Sequence, residues 1–95
     1  LEAYKKSISL KPDYAEALNN MGNALKDQGK LEEAIESYKK TILLKPGHAV
    51  AYSNLGNALQ DQGKLEEAIV SYNNVLSLNP DNAEAHRNLS SLMKV

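Results

Sequence analysis

Leu18-Asn19-Asn20-Met21-Gly22-Asn23-Ala24-Leu25, followed by Gly29-Lys30-Leu31-Glu32-Glu33-Ala34-Ile35, Tyr38 and Pro46, decides the fold, because most of it is written again 34 residues later. Gly22 pairs with Gly56, Gly29 with Gly63, Ala34 with Ala68 and Tyr38 with Tyr72 at that offset. Tyr4 and Leu10 open the same series, and Pro12, Pro46 and Pro80 keep its interval. Setting Ala15–His48 over Ala49–Asn82 leaves about twenty positions identical. Self-similarity at a fixed period of this length marks stacked supersecondary units, none of which buries its apolar face alone.

Within a unit the apolar spacing is helical. Ala17, Leu18, Met21, Ala24 and Leu25 form one stripe, and Leu31, Ala34, Ile35, Tyr38 and Ile42 form a second. Gly29 and Gly63 suit the left-handed turn that ends a first helix, and Glu32-Glu33 and Glu66-Glu67 place negative charge at the start of the next. The three prolines stop each second helix. Asp13 with Glu16, and Asp81 with Glu84, have the spacing of a capping box. Gly47 and Val50 stand at those places in the middle unit, which is therefore expected to start less sharply. Gly22 and Ala34 should let paired helices approach, with Tyr38 and Tyr72 filling the space between units.

The expected architecture is all-α: an α-solenoid of antiparallel helix pairs with six helices near 1–10, 15–28, 31–44, 49–62, 65–78 and 83–94. Residues 1–14 form a half repeat holding a second helix, 15–48 and 49–82 are whole repeats, and 83–95 is a half repeat holding a first helix. On this reading the chain is a fragment that opens in the middle of a structural unit.

Composition narrows the function. Ninety-five residues suit one ordinary domain, and 42% hydrophobic with 24% charged residues belongs to chains that fold. Eleven basic against twelve acidic residues give a formal net charge of −1, so no positive field draws in nucleic acid or an anionic membrane. Cysteine is absent, which excludes disulfides and thiolate chemistry and leaves the compartment open, with the cytoplasm as the default expectation. The first residues, Leu1-Glu2-Ala3-Tyr4-Lys5, lack the apolar h-region of a signal peptide, and no apolar run approaches the ~20 residues needed to span a bilayer.

The two long stretches, 18–46 and 52–80, resemble the tetratricopeptide repeat, and the resemblance covers essentially the whole chain. Leu18, Tyr52 and His86 take the large first-helix position of that pattern, and Met21, Leu55 and Leu89 the next apolar one. Ser90 departs from it, standing where Gly22 and Gly56 stand, which implies looser packing of the last helix. The resemblance implies a right-handed superhelix whose first helices line a concave, peptide-binding surface.

Asn20, Asn54 and Asn88 recur at the repeat interval on first helices, and Asn23 and Asn57 form a second row one turn later. An amide side chain both donates and accepts, so it can pair with the N–H and C=O of an extended chain whatever that chain's side chains are. Packed helices lie ~8–10 Å apart and an extended chain rises ~3.3 Å per residue, so one rung meets roughly every third peptide residue. The ladder is similar to that of the repeat arrays of O-linked N-acetylglucosamine transferases and their bacterial relatives, though the transferase domain is absent. The competing reading is that these amides bond between neighbouring helices and only stabilise the stack. Glu16, Asn19, Ser53, Arg87 and Ser91 are expected to tune selectivity beside the ladder.

Other chemistries fail on spacing or residue type. The family's two-carboxylate clamp needs cations where Asn19, Glu84 and Asn88 stand, although Asn23 and Asn54 match its asparagines; without those cations a terminal carboxylate has little to pair with. Gly29-Lys30 is followed by Leu31 instead of the Ser or Thr of a phosphate-binding loop. His48 and His86 lack metal-ligand partners at recurring helix spacing. Glu32-Glu33 and Glu66-Glu67 point to different sides of their helices. The expectation is a protein without catalytic, cofactor or metal site that binds a protein or peptide ligand; head-to-tail self-association through its half-repeat ends is the alternative.

Overall fold

The computed structural model describes residues 14–93, and all of their regular structure is helical: α1 Tyr14–Asp27, α2 Leu31–Leu44, α3 Ala49–Asp61, α4 Leu65–Leu78 and α5 Ala83–Leu92. The sixth expected helix, over 1–10, lies outside the described residues. Boundaries of the other five agree with the sequence to within two residues at each end.

Apolar stripes account for the packing order. α1 packs on α2 and α3 on α4 as antiparallel pairs, while α2 against α3 and α4 against α5 join successive units. One continuous core results, running through Leu25, Ala34, Ile35, Tyr38, Leu55, Ala58, Leu59, Ala68, Tyr72 and Leu89. First helices of neighbouring whole units, α1 and α3, also touch. That contact brings equivalent first-helix positions to one side of the array.

The tight turn inside each unit follows from one glycine. Gly29 and Gly63 have φ of +81° and +82°, a left-handed conformation that a Cβ disfavours. Around the first, Lys30 N–H donates to Leu25 O at 2.9 Å and Gly29 N–H to Lys26 O at 2.9 Å, which closes the end of α1 in a Schellman pattern. The second turn repeats these bonds with Lys64 to Leu59 and Gly63 to Gln60.

The cap of α5 differs from expectation by one residue, while the other expected pair, Asp13 with Glu16, includes a residue outside the described ones. Asp81 and Glu84 do not form the box; Asn82 is the N-cap of α5, and its Oδ1 accepts from Ala85 N–H at 2.9 Å. The backbone leaves extended conformation at Asn82, so Asp81 sits one residue too early to reach the orphan N–H groups. Nor does the middle unit start loosely. His48, at the same repeat position as Asn82, caps α3 by accepting from Ala51 N–H on Nδ1 at 3.2 Å.

Tyr38 and Tyr72 also close the hairpin from within. Each ring lies on the glycine of its own unit, where an added Cβ at Gly22 would meet Tyr38 Cε1 at 2.5 Å and one at Gly56 would meet Tyr72 Cε1 at 2.6 Å. Both tyrosines are fully buried. A bare backbone on the first helix thus forms the seat for an aromatic ring on the second, inside the hairpin.

Candidate peptide groove

α3 carries the best-formed part of the candidate site. Ser53, Asn54 and Asn57 share one side of this helix and, with Ala49 and Val50, line a cleft of about 190 Å³ closed by Asn79 and Asn82 of the loop before α5 and by Glu84 in its first turn. Both ladder rows therefore reach one space in this unit. A larger cleft of about 480 Å³ opens over Met21 and Leu25 between Glu32, Glu33, Glu36, Ser37 and Lys40 of the first unit, and contains no ladder residue. Repeat register assigns that face to packing: Leu55 and Leu59, the counterparts of Met21 and Leu25, are buried.

The first ladder row is unevenly engaged. Asn20 is exposed, and Asn54 and Asn88 are half-buried. Asn54 Nδ2 donates to Asn19 Oδ1 at 3.2 Å, a bond from α3 back to α1. Asn19 is 4% exposed, so it belongs to the seam between units and its oxygen holds the ladder residue of the next one. One rung thus joins helices, as the stabilising reading requires, and still lines the cleft.

The second row is tied to the tyrosines. Tyr38 Oη donates to Asn23 Oδ1 at 2.6 Å, and Tyr72 Oη donates to Asn57 Oδ1 at 2.6 Å, with Gln60 Oε1 at 3.1 Å from the same hydroxyl. Asn23 is exposed and Asn57 half-buried. Sequence reading missed this pairing, although its signal was visible: Gly-Asn on the first helix recurs with Tyr fifteen residues after the asparagine.

Of the remaining residues, Glu16, Arg87 and Ser91 are exposed and Ser53 is half-buried. Glu16 Oε2 accepts from His48 Nε2 at 2.9 Å. Since His48 Nδ1 is the cap acceptor for Ala51, the ring proton sits on Nε2, and one neutral imidazole links α1 to the start of α3. No recurring charge pattern announced that link. His86 Nε2 lies 2.9 Å from Pro80 O, to which it can donate. No cluster of three His, Cys, Asp or Glu side chains among the described residues could hold a metal ion.

Burial pushes the two tyrosine phenols from 10.0 up to about 12, aided by the charge of Asp27 at Tyr38 and of Glu84 and then Asp61 at Tyr72. Desolvation disfavours the phenolate, so the folded protein holds these protons more tightly than the unfolded chain does. This stabilisation is complete below about pH 10 and is lost as pH rises through about 12. Stability measured by denaturant titration should fall across that window, while absorbance shows two of the five tyrosines ionising only as the fold is lost. Ionisation of all five before unfolding would contradict it.

A family model for the TPR repeat matches residues 22–63 and again 56–93, and a second, for the tetratricopeptide repeat, matches 3–36. The chain belongs to the tetratricopeptide-repeat family. Among solved structures, these repeats are similar to the first TPR of Spaghetti (RPAP3) bound to the HSP90 peptide SRMEEVD: TM-score 0.88, 30% identity, over 96% of this chain and 72% of that one. They are equally similar to the second TPR domain of human RPAP3 in complex with the HSP70 peptide SGPTIEEVD: TM-score 0.88, 32% identity, 99% and 78% covered. MamA gives a TM-score of 0.85 at 33% identity, over 96% of this chain and 53% of MamA. No curated protein matches the chain. None of the helices among the described residues is long and apolar enough to cross a membrane.

Proposed function

We propose that these repeats form a non-catalytic scaffold that grips an extended segment of a partner protein along the first helices. Support comes above all from one observation: Ser53, Asn54 and Asn57 of α3 share a cleft with Asn79 and Asn82 of the following loop and Glu84 of the next helix. Amides from both rows are thereby within reach of one polypeptide backbone. Asn20, Asn23 and Asn88 would continue the row along the array, with Glu16, Arg87 and Ser91 contacting ligand side chains and Asn19 holding Asn54.

Peptide binding by the two RPAP3 domains lends support at the level of the fold. Their acidic peptides are not the ligand proposed here. Asn19, Glu84 and Asn88 supply no positive charge, and Glu84 adds a carboxylate to the rim of the cleft.

The test is a peptide-display selection followed by titration of the selected peptide, acetylated and amidated, against wild type and the triple variant Asn20→Ala, Asn54→Ala, Asn88→Ala. Loss of the backbone bonds should weaken binding by about tenfold or more, at roughly one neutral hydrogen bond per rung. Equal affinity in a variant with unaltered helix content would remove the proposal.

Self-association through α5 is a second reading, favoured by Met93, which is 69% exposed where its repeat counterpart Leu59 is 2% exposed. Light scattering over a dilution series distinguishes the two, since stacked copies must dissociate on dilution and a constant monomeric mass would end this reading.

A further inference from the structure

We infer that Tyr38 and Tyr72 set the hydrogen-bonding polarity of the proposed groove, by holding Asn23 and Asn57 with their amide nitrogens turned to the ligand as donors for peptide carbonyls. The inference rests on the groove reading above and adds what each amide offers and what fixes it.

A buried phenol has one proton to place. Tyr38 is fully buried, and Asn23 Oδ1 at 2.6 Å is the partner its hydroxyl has among the described residues. Turning the carboxamide over would put Nδ2 against the phenol oxygen and leave the phenolic proton without an acceptor, which costs more than the bond itself contributes. The oxygen of Asn23 is therefore held inward, with one lone pair on the phenol. Its two N–H groups are what remains for a ligand.

Asn57 repeats the arrangement with Tyr72 at the same 2.6 Å, and the nearer of the two acceptors around that hydroxyl takes the proton. Gly22 and Gly56 make this reach possible: the ring rests on bare backbone, so its hydroxyl arrives beside the next residue along the helix. A phenol is protonated at neutral pH, so the hydroxyl stays a donor there.

Asn54 has the opposite polarity. One N–H of its amide is given to Asn19, so Oδ1 is unused and available as an acceptor for a peptide N–H, beside the one remaining N–H. Across the α3 cleft, a donor at Asn57 and an acceptor at Asn54 stand on adjacent turns of one helix. An extended backbone presents C=O and N–H in alternation, so the ligand class is main chain itself, with little demand on side chains. In the last unit Ser90-Ser91 replaces Gly-Asn, and the donor rung of the two whole units is not repeated.

Because the natural ligand is unidentified, the probe is an acetylated, amidated Ser-Gly-Ser-Gly-Ser peptide added at millimolar concentration to the ¹⁵N-labelled protein. The Asn23 and Asn57 side-chain amides should shift on titration. Tyr72→Phe keeps the ring on Gly56 and removes only the hydroxyl; it should weaken the probe about fivefold, the worth of one misdirected hydrogen bond, and abolish the Asn57 response while Asn23 still responds. Tyr38→Phe should do the reverse. If both phenylalanine variants bind as wild type while Asn57→Ala binds weakly, the groove reading stands and the polarity inference falls. A uniform loss at both rungs in either variant also overturns it, since that marks general loosening of the fold. Failure of any ladder amide to shift in wild type overturns both readings.

Discussion

Tyr72→Ala lowers the unfolding free energy by about 3–5 kcal/mol, the range for deleting a fully buried aromatic ring from a core that closes only partly. The ring is fully buried, seats on Gly56 and satisfies Asn57, so three losses coincide: packing on the glycine, core volume beside Ala68, and a hydrogen bond. Against a total stability of about 5–15 kcal/mol for a small domain, this is a large share. Tyr72→Phe separates the parts, because it removes the bond alone and should cost about 1 kcal/mol. Chemical denaturation followed by circular dichroism gives both numbers. A cost for alanine no larger than that for phenylalanine would mean that the ring does not hold the hairpin together.

Gly56→Ala should destabilise in spite of making a better helix. Alanine gains about 1 kcal/mol over glycine in a helix interior, but its Cβ would lie 2.6 Å from Tyr72 Cε1, and a ring with no exposed side cannot swing away. Overpacking of this kind costs about 1–3 kcal/mol before any ring displacement, so the net change should be a loss of up to about 2 kcal/mol. Ser90 is the internal control. It occupies the same repeat position as Gly56 but is exposed, so Ser90→Ala should leave stability unchanged or slightly raised. Thermal melts of the two variants side by side check the contrast, and equal behaviour at Gly56 and Ser90 would contradict the seat described for the tyrosine ring.

How far such effects can be foreseen from residues alone differs from feature to feature. The glycine turns at 29 and 63 were readable because only one residue type tolerates the left-handed conformation, and position 29 or 63 in a helical pattern leaves no other role. The α5 cap lies one residue from the position that the spacing suggests. Several short polar residues cluster at each boundary, and choosing among Asp81, Asn82 and Glu84 requires knowing where the backbone turns. His48 was missed altogether as a cap, because imidazole is an uncommon acceptor for a helix N-terminus and its second partner, Glu16, comes from 32 residues away.

Sequence by itself determined the architecture: the 34-residue interval, the two alternating apolar stripes, the glycine turns and the proline stops leave stacked helical hairpins as the way to bury those faces. It also placed the asparagines on first helices. Tertiary structure alone decided which way each amide faces and what it has left to offer. Asn54 is held by Asn19, 35 residues earlier, and Asn57 by Tyr72, 15 residues later. Periodicity records the angle of a side chain around its own helix, whereas hydrogen-bond polarity depends on atoms that reach that side chain only after another helix has docked.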